Sequence, residues 1–261
     1  MACLRCGSML VPFSGTAAAV RSPVSRAQER ADAARPLIDR LPSTLSYVLS
    51  GRVLVVLAGV ALLQLLGNFG LILSILAAGI NAAVFFRIVE SSAYGDDRLE
   101  PPDFVDPWDS VLSPLLRYLA TLVPLVAILL AAGVPFFVGL FSGPQLWIGL
   151  GAWFALILVW VALWPLLIIV AALTRSATAI FRPAIWVKIL GEMRADYVIG
   201  AAVFYGTFLV EIYVLVPIAL RLAISTGFSI LVAIVFGFIG LILEAWRARV
   251  LGEVCRPYLE I

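Results

Sequence analysis

Apolar residues in this chain come in long blocks rather than in the short periodic runs of a soluble domain. No charge interrupts Val53 to Phe86 or Tyr118 to Thr174, and between Tyr197 and Leu243 only Glu211 and Arg221 do so. A helix needs roughly 20 apolar residues to cross a bilayer, so each block invites two crossings. As one helix, Val53 to Phe86 would run about 51 Å at the helical rise, against ~30 Å of hydrocarbon. Gly67-Asn68-Phe69-Gly70 lies in its middle and supplies turn residues. The pattern therefore predicts crossings at 48–66 and 70–88, with one long tilted helix or a re-entrant pair as the alternative. Ser142-Gly143-Pro144-Gln145 divides the second block into 118–141 and 146–173, and Arg221 to Gly227 divides the third into 198–220 and 228–246. The expected fold is all-α: a polytopic membrane helix bundle of about six transmembrane helices in three hairpins.

Composition agrees with that pattern. The chain has 261 residues, is 63% hydrophobic and 13% charged, and has a mean hydropathy of +1.09, where about half of a soluble domain is apolar. Charge placement then orients the bundle, because Lys and Arg concentrate on the cytoplasmic side. The leader through Arg52 is rich in Arg, the segment 174–197 holds Arg175, Arg182, Lys188 and Arg194, and the tail holds Arg247, Arg249 and Arg256. The three expected outer turns share a single basic residue, Arg221. Both termini are expected in the cytosol of a bacterium, with the chain in its inner membrane and the lipid bilayer as its first partner. No nucleic-acid partner is expected, and a homo-oligomer is compatible with the pattern. The apolar Met9 to Phe13 is too short for the h-region of a signal peptide, so the leader is expected to be retained.

Residues 1–46 read as a polar cytosolic leader and 47–261 as the transmembrane bundle. Within the leader, SRAQERADAARPLIDRL has few large apolar residues and is expected to form a linker or surface helix over Ser25 to Leu41. Short stretches beside each hairpin, at Arg35 to Leu41, Trp108 to Arg117 and Pro183 to Leu190, mix Trp or basic residues with apolar ones, as the membrane interface favours.

The chain has no His, which removes the commonest general base and Ser-His nucleophilic catalysis. Asp103, Asp106 and Asp109 recur at every third position in the acidic loop. Carboxylates of this kind can hold Mg²⁺ against a diphosphate, as in membrane prenyl transferases. Pro101, Pro102 and Pro107 prevent one helix from presenting all three, and no second aspartate-rich loop completes such a site. A solvated loop on the cytosolic face is the expected reading, with a lipid-diphosphate enzyme as a distant third. Glu211 lies past the middle of the fifth crossing in Phe-Leu-Val-Glu-Ile-Tyr-Val. An acid there costs a few kcal/mol unless it is paired or neutral, which marks it as a candidate site, with Thr207 one turn away on its face. Glu244, expected near the membrane boundary beside Arg247, is the weaker candidate.

Cys3-Leu-Arg-Cys6 stands at zinc-ribbon distance from Ser22-Pro-Val-Ser25. Ser hydroxyls are poor zinc ligands, so Cys3 and Cys6 form an incomplete metal site. No bound cofactor is expected; zinc would need the same pair from a second chain, or Cys255.

Phe86-Arg87-Ile-Val-Glu-Ser-Ser-Ala-Tyr-Gly95-Asp-Asp, then Pro102-Asp and Asp106-Pro-Trp108-Asp109, resemble a family of uncharacterised prokaryotic multi-helix integral membrane proteins with a domain of unknown function. Its members carry an Arg after an early hydrophobic hairpin, a Gly-plus-acid turn, and a Pro and a Trp flanked by acids. Phe181-Arg-Pro183 to Asp196-Tyr197 resembles the entry to that family's later hairpin. The resemblance covers roughly residues 50–255, and Val84-Phe85-Phe86 stands where the family often has Gly-Tyr. It implies the architecture and no chemistry, with the degenerate zinc-ribbon-like leader as an attached contact module. The functional expectation is a non-enzymatic membrane scaffold or accessory subunit, meeting a protein partner through the leader and loops. The alternative is a small-solute or ion transporter using Glu211, a reading that gains if Glu211 faces a water-accessible cavity.

Overall fold

The computed structural model describes residues 35–96, 99, 106–137 and 144–259. The Cys3/Cys6 and Ser22/Ser25 pairs and the expected helix up to residue 34 lie outside the described residues, as does Asp103. Pro36 to Ile261 form one helical body, and no strand occurs among its described residues. In chain order the helices are α1 (Leu37–Val48), α2 (Gly51–Gly67), α3 (Leu71–Ala93), α4 (Ser113–Phe137), α5 (Pro144–Thr174), α6 (Pro183–Val210), α7 (Val216–Thr226) and α8 (Ser229–Cys255). The chain is an all-α membrane helix bundle. Five continuous segments are long and apolar enough to cross a bilayer: Leu71–Ala93, Trp108–Ala131, Trp147–Thr174, Ala195–Thr226 and Ser229–Tyr258.

The sixth expected crossing is a broken one. At 17 residues, α2 reaches only about 25 Å, and it qualifies as a span only together with α1, from which it bends by 63°. The break falls at Leu49-Ser50, where Ser50 takes an extended conformation (ψ 143°) before α2 begins. The hairpin turn does form at Gly67 to Gly70, and Ser74 Oγ donates to the Gly67 carbonyl at 2.7 Å.

The first helix corrects the division at residue 46. Residues 36–46 belong to the bundle, and α1 is not a surface helix: Leu37 and Val48 are fully buried and Arg40, Thr44 and Tyr47 nearly so. Its buried stripe falls at helical spacing, and Trp246 Nε1 on α8 donates to Thr44 Oγ1 at 2.8 Å. The buried face contains an Arg and a Thr, so a count of large apolar residues undervalues it.

Two π-turns interrupt the helices, Trp108–Leu112 before α4 and Glu211–Leu215 before α7. Each precedes a proline, Pro114 and Pro217, and in each the residue four positions before that proline (Ser110, Tyr213) lies within the wide turn. A helical proline clashes with the carbonyl four residues back and leaves it without a donor; widening the helix at that point relieves the clash.

Pro165 in α5 is accommodated differently. An ordinary residue here would donate its N–H to the Val161 carbonyl, which proline cannot do; instead the Tyr205 hydroxyl on α6 donates to that oxygen, while the Tyr197 hydroxyl donates to the next carbonyl, Ala162. An unpaired carbonyl in hydrocarbon is costly, so the two tyrosines fasten α6 to α5 where proline opens it. Tyr205→Phe is expected to destabilise the bundle by about 1–2 kcal/mol, and to do little in a Pro165→Ala background, where a backbone N–H is restored. A double-mutant cycle by detergent unfolding reads this coupling; equal losses in both backgrounds would exclude it.

One end of the bundle is charged. Glu90 at the end of α3 meets Arg175 Nη2, just beyond α5, at 2.7 Å and Arg117 Nη1 of α4 at 3.7 Å. Glu253 near the end of α8 meets Arg40 of α1 at 2.6 Å, Arg249 at 3.2 Å and Arg256 at 3.3 Å. Arg249 also lies over the Tyr47 ring at 4.1 Å and donates to the Asp96 carbonyl at 3.3 Å. These contacts gather both ends of the described body and the connections after α3 and α5, as three hairpins require.

Candidate functional site

The third hairpin positions the site. α6, its π-turn and α7 run to Thr226, Gly227 turns the chain with φ +70°, and α8 runs back from Ser229. Counted from that turn, Glu211 and Glu244 lie equally deep, each about 22 Å along its helix. Leu215 and Ala219 share a face with Glu211 at one-turn spacing, and Gly240 and Phe236 do the same with Glu244. Between these faces lies a cleft of about 320 Å³, also lined by Val216, Gly237, Leu241 and Gln64 of α2.

Glu211 does not hydrogen-bond to Thr207. Its Oε2 accepts from Arg247 Nη2, and Thr207 Oγ1 instead donates to the carbonyls of Val203 and Phe204 at 2.9 Å each. Arg247 is buried and stacks over the Phe208 ring at 5.6 Å, with its Nε donating to the Leu243 carbonyl at 3.4 Å. Gly240 leaves room for the Glu211 carboxylate, since a Cβ there would stand 3.2 Å from Oε1. Glu244 has a different partner: Asn81 Nδ2 of α3 donates to both of its carboxylate oxygens at 3.1 Å. The cleft is therefore lined by two carboxylates and the Gln64 carboxamide, and the Arg247 guanidinium and Asn81 carboxamide are bonded to those carboxylates.

Of the other sequence candidates, Asp106, Asp109 and Cys255 stay apart from this cleft. Asp106 Oδ1 accepts from the backbone N–H groups of Trp108 at 3.0 Å and Asp109 at 3.5 Å, so it caps the π-turn before α4, as short polar side chains do at helix starts. Asp109 is exposed. Cys255 is fully buried with its thiol against the Leu251 carbonyl at 3.4 Å, which gives it no open face as a ligand. Among the described residues no group of three or more Cys, Asp or Glu could hold a metal ion.

Glu244, Asn81 and Arg247 are the members whose importance sequence reasoning understated. One signal was available: in a hairpin, residues equidistant from the turn face each other, which pairs Glu211 with Glu244. The Asn81 contact, 163 residues away along the chain, carries no such signal. No protein-family model, curated protein or solved structure matches this chain.

Proposed function

We propose that this chain is a multi-pass protein of a bacterial inner membrane, with the charged end of its bundle in the cytosol, that binds and moves a small solute or ion through the cleft of the third hairpin. One observation carries the reading: Glu211 and Glu244 face the same cleft within the spans. Ionisable groups in a membrane interior are costly and ordinarily line solute or ion pathways. The excess of basic residues at the end holding Arg175, Arg182 and Lys188 supports the orientation. The π-turn at Glu211 supports the site, because such turns recur at functional positions.

Cysteine labelling tests this. With Cys3, Cys6 and Cys255 replaced by Ala, Ala219→Cys and Gly237→Cys are expected to react with a water-soluble, membrane-impermeant thiosulfonate far faster than Ile230→Cys, which is exposed on the apolar surface. Equal slowness at all three positions would defeat the transport reading. The chain would then be read as the membrane scaffold or accessory subunit, with residues 1–34 and the charged end as its contact surfaces.

A further inference from the structure

Two carboxylates line the cleft, and the guanidinium of Arg247 is bonded to one of them. Arg247 donates to Glu211, and among the described residues no cation is hydrogen-bonded to Glu244, whose hydrogen bonds come from the Asn81 carboxamide at 3.1 Å. An ionised carboxylate in an apolar medium is strongly disfavoured unless paired. We propose that Glu244 is a proton-binding site: it takes a proton from water entering the cleft, becomes a neutral carboxyl, and returns that proton to water, giving the cleft a proton as its coupling ion. The assignment deepens the transport reading above and rests on the cleft being its working site.

The partner suits both states. A carboxamide serves a carboxylate by donating through its NH₂ group, and serves a neutral carboxyl by turning over so that its oxygen accepts the acid proton. An arginine could do only the first. The other groups acting on Glu244 are Arg247 on its own helix, which attracts the carboxylate, and Glu211 on the π-turn, which repels it. The Tyr118 phenol of α4 is also within electrostatic reach, and Gln64 completes the polar lining. Because Arg247 sits between two acids, its pairing with Glu211 leaves Glu244 to be neutralised by a proton, and a shift of Arg247 toward Glu244 would expel that proton.

The test uses the full chain in lipid nanodiscs, followed by difference infrared spectroscopy as pH is moved from mildly alkaline to mildly acidic. A neutral-carboxyl band is expected to grow on acidification, to shift in heavy water, and to vanish in Glu244→Gln. In Glu211→Gln, Arg247 is free to pair with Glu244, and the band is expected only at more acidic pH. Asn81→Leu keeps Glu244 but removes its donors, and the band should persist to more alkaline pH, which provides a readout even if Glu244→Gln fails to fold. An unchanged band in Glu244→Gln, or no response to Asn81→Leu, would overturn the assignment. Labelled cleft cysteines with a Glu244-independent band would defeat the proton site alone; unlabelled cysteines with a Glu244-dependent band would defeat transport and leave the proton site standing.

Discussion

Glu253→Gln is expected to lower the unfolding free energy of the bundle by about 3–5 kcal/mol, the usual loss when one partner of a buried ion pair is removed. The Glu253 side chain is 3% exposed and takes hydrogen bonds or ion pairs from Arg40, Arg249 and Arg256, of which Arg40 and Arg249 are themselves 5% and 6% exposed. Losing that one negative charge removes the acid on which three guanidinium groups converge in a largely buried cluster. Two comparisons separate this from general sensitivity. Arg256→Met, at the most exposed of the three partners, is expected to cost much less. Arg40→Met combined with Glu253→Gln is expected to cost less than the two changes added, because the double variant removes charge from both sides. Detergent-titrated unfolding followed by circular dichroism measures all of these; a change within about 0.5 kcal/mol for Glu253→Gln, the range of ordinary surface substitutions, would show that the cluster is solvated and contributes little.

The second large effect belongs to Gly252→Ala. A Cβ at Gly252 would overlap Ser92 Cβ and the Val89 carbonyl oxygen, and would stand 3.0 Å from the Ala93 backbone nitrogen. Two of these three atoms are backbone, so no rotamer change clears the space and α3 must move from α8. Small residues permit such close crossings in membranes, where packing replaces the hydrophobic effect as the force between helices. The expected loss is about 3 kcal/mol or more, at the upper end for overpacked sites. Gly206→Ala is the control: nothing lies within 4 Å of a Cβ there, and replacing a helix-interior glycine by alanine gains up to about 1 kcal/mol. Equal stability of the two variants would mean that α3 and α8 are not held together at Gly252.

These two sites sit side by side on α8, and the arrangement bears on the cleft. Glu253, Gly252 and Arg249 bind α8 to α1 and α3 at the charged end, while the hairpin tip, including Thr226, Phe228 and Ile230, is exposed. α8 is therefore buried against α1 and α3 at one end and exposed near the hairpin tip, with Glu244 and Arg247 between.

Much of the fold was legible before any coordinates. Uncharged blocks of this length permit few structures in a bilayer, because every backbone group must be satisfied within a helix or a closed barrel, and the turn residues at Gly67 to Gly70 and at Gly227 stood out within otherwise apolar sequence. The collection of Lys and Arg at one end was equally visible. Glu211 was identified because an acid inside an apolar run is rare. Its partner was not, and neither was the role of α1, whose buried face includes Arg40 and Thr44 and so does not register as hydrophobic.

What the sequence determined by itself is the class of the molecule, the rough limits of its five continuous crossings, and the presence of an unexplained charge inside one of them. Only the tertiary structure decided how those charges are neutralised. Arg40 and Glu253 are 213 residues apart, Asn81 and Glu244 163, and Glu211 and Arg247 36. Hydropathy is a sum over neighbouring residues and sees none of these pairs. Ion pairing in an apolar interior depends on distances of a few ångströms across helices, and those follow from which faces pack together, set here by glycines at crossings, by tyrosines bonded to a proline-freed carbonyl, and by a turn that brings two acids to the same depth.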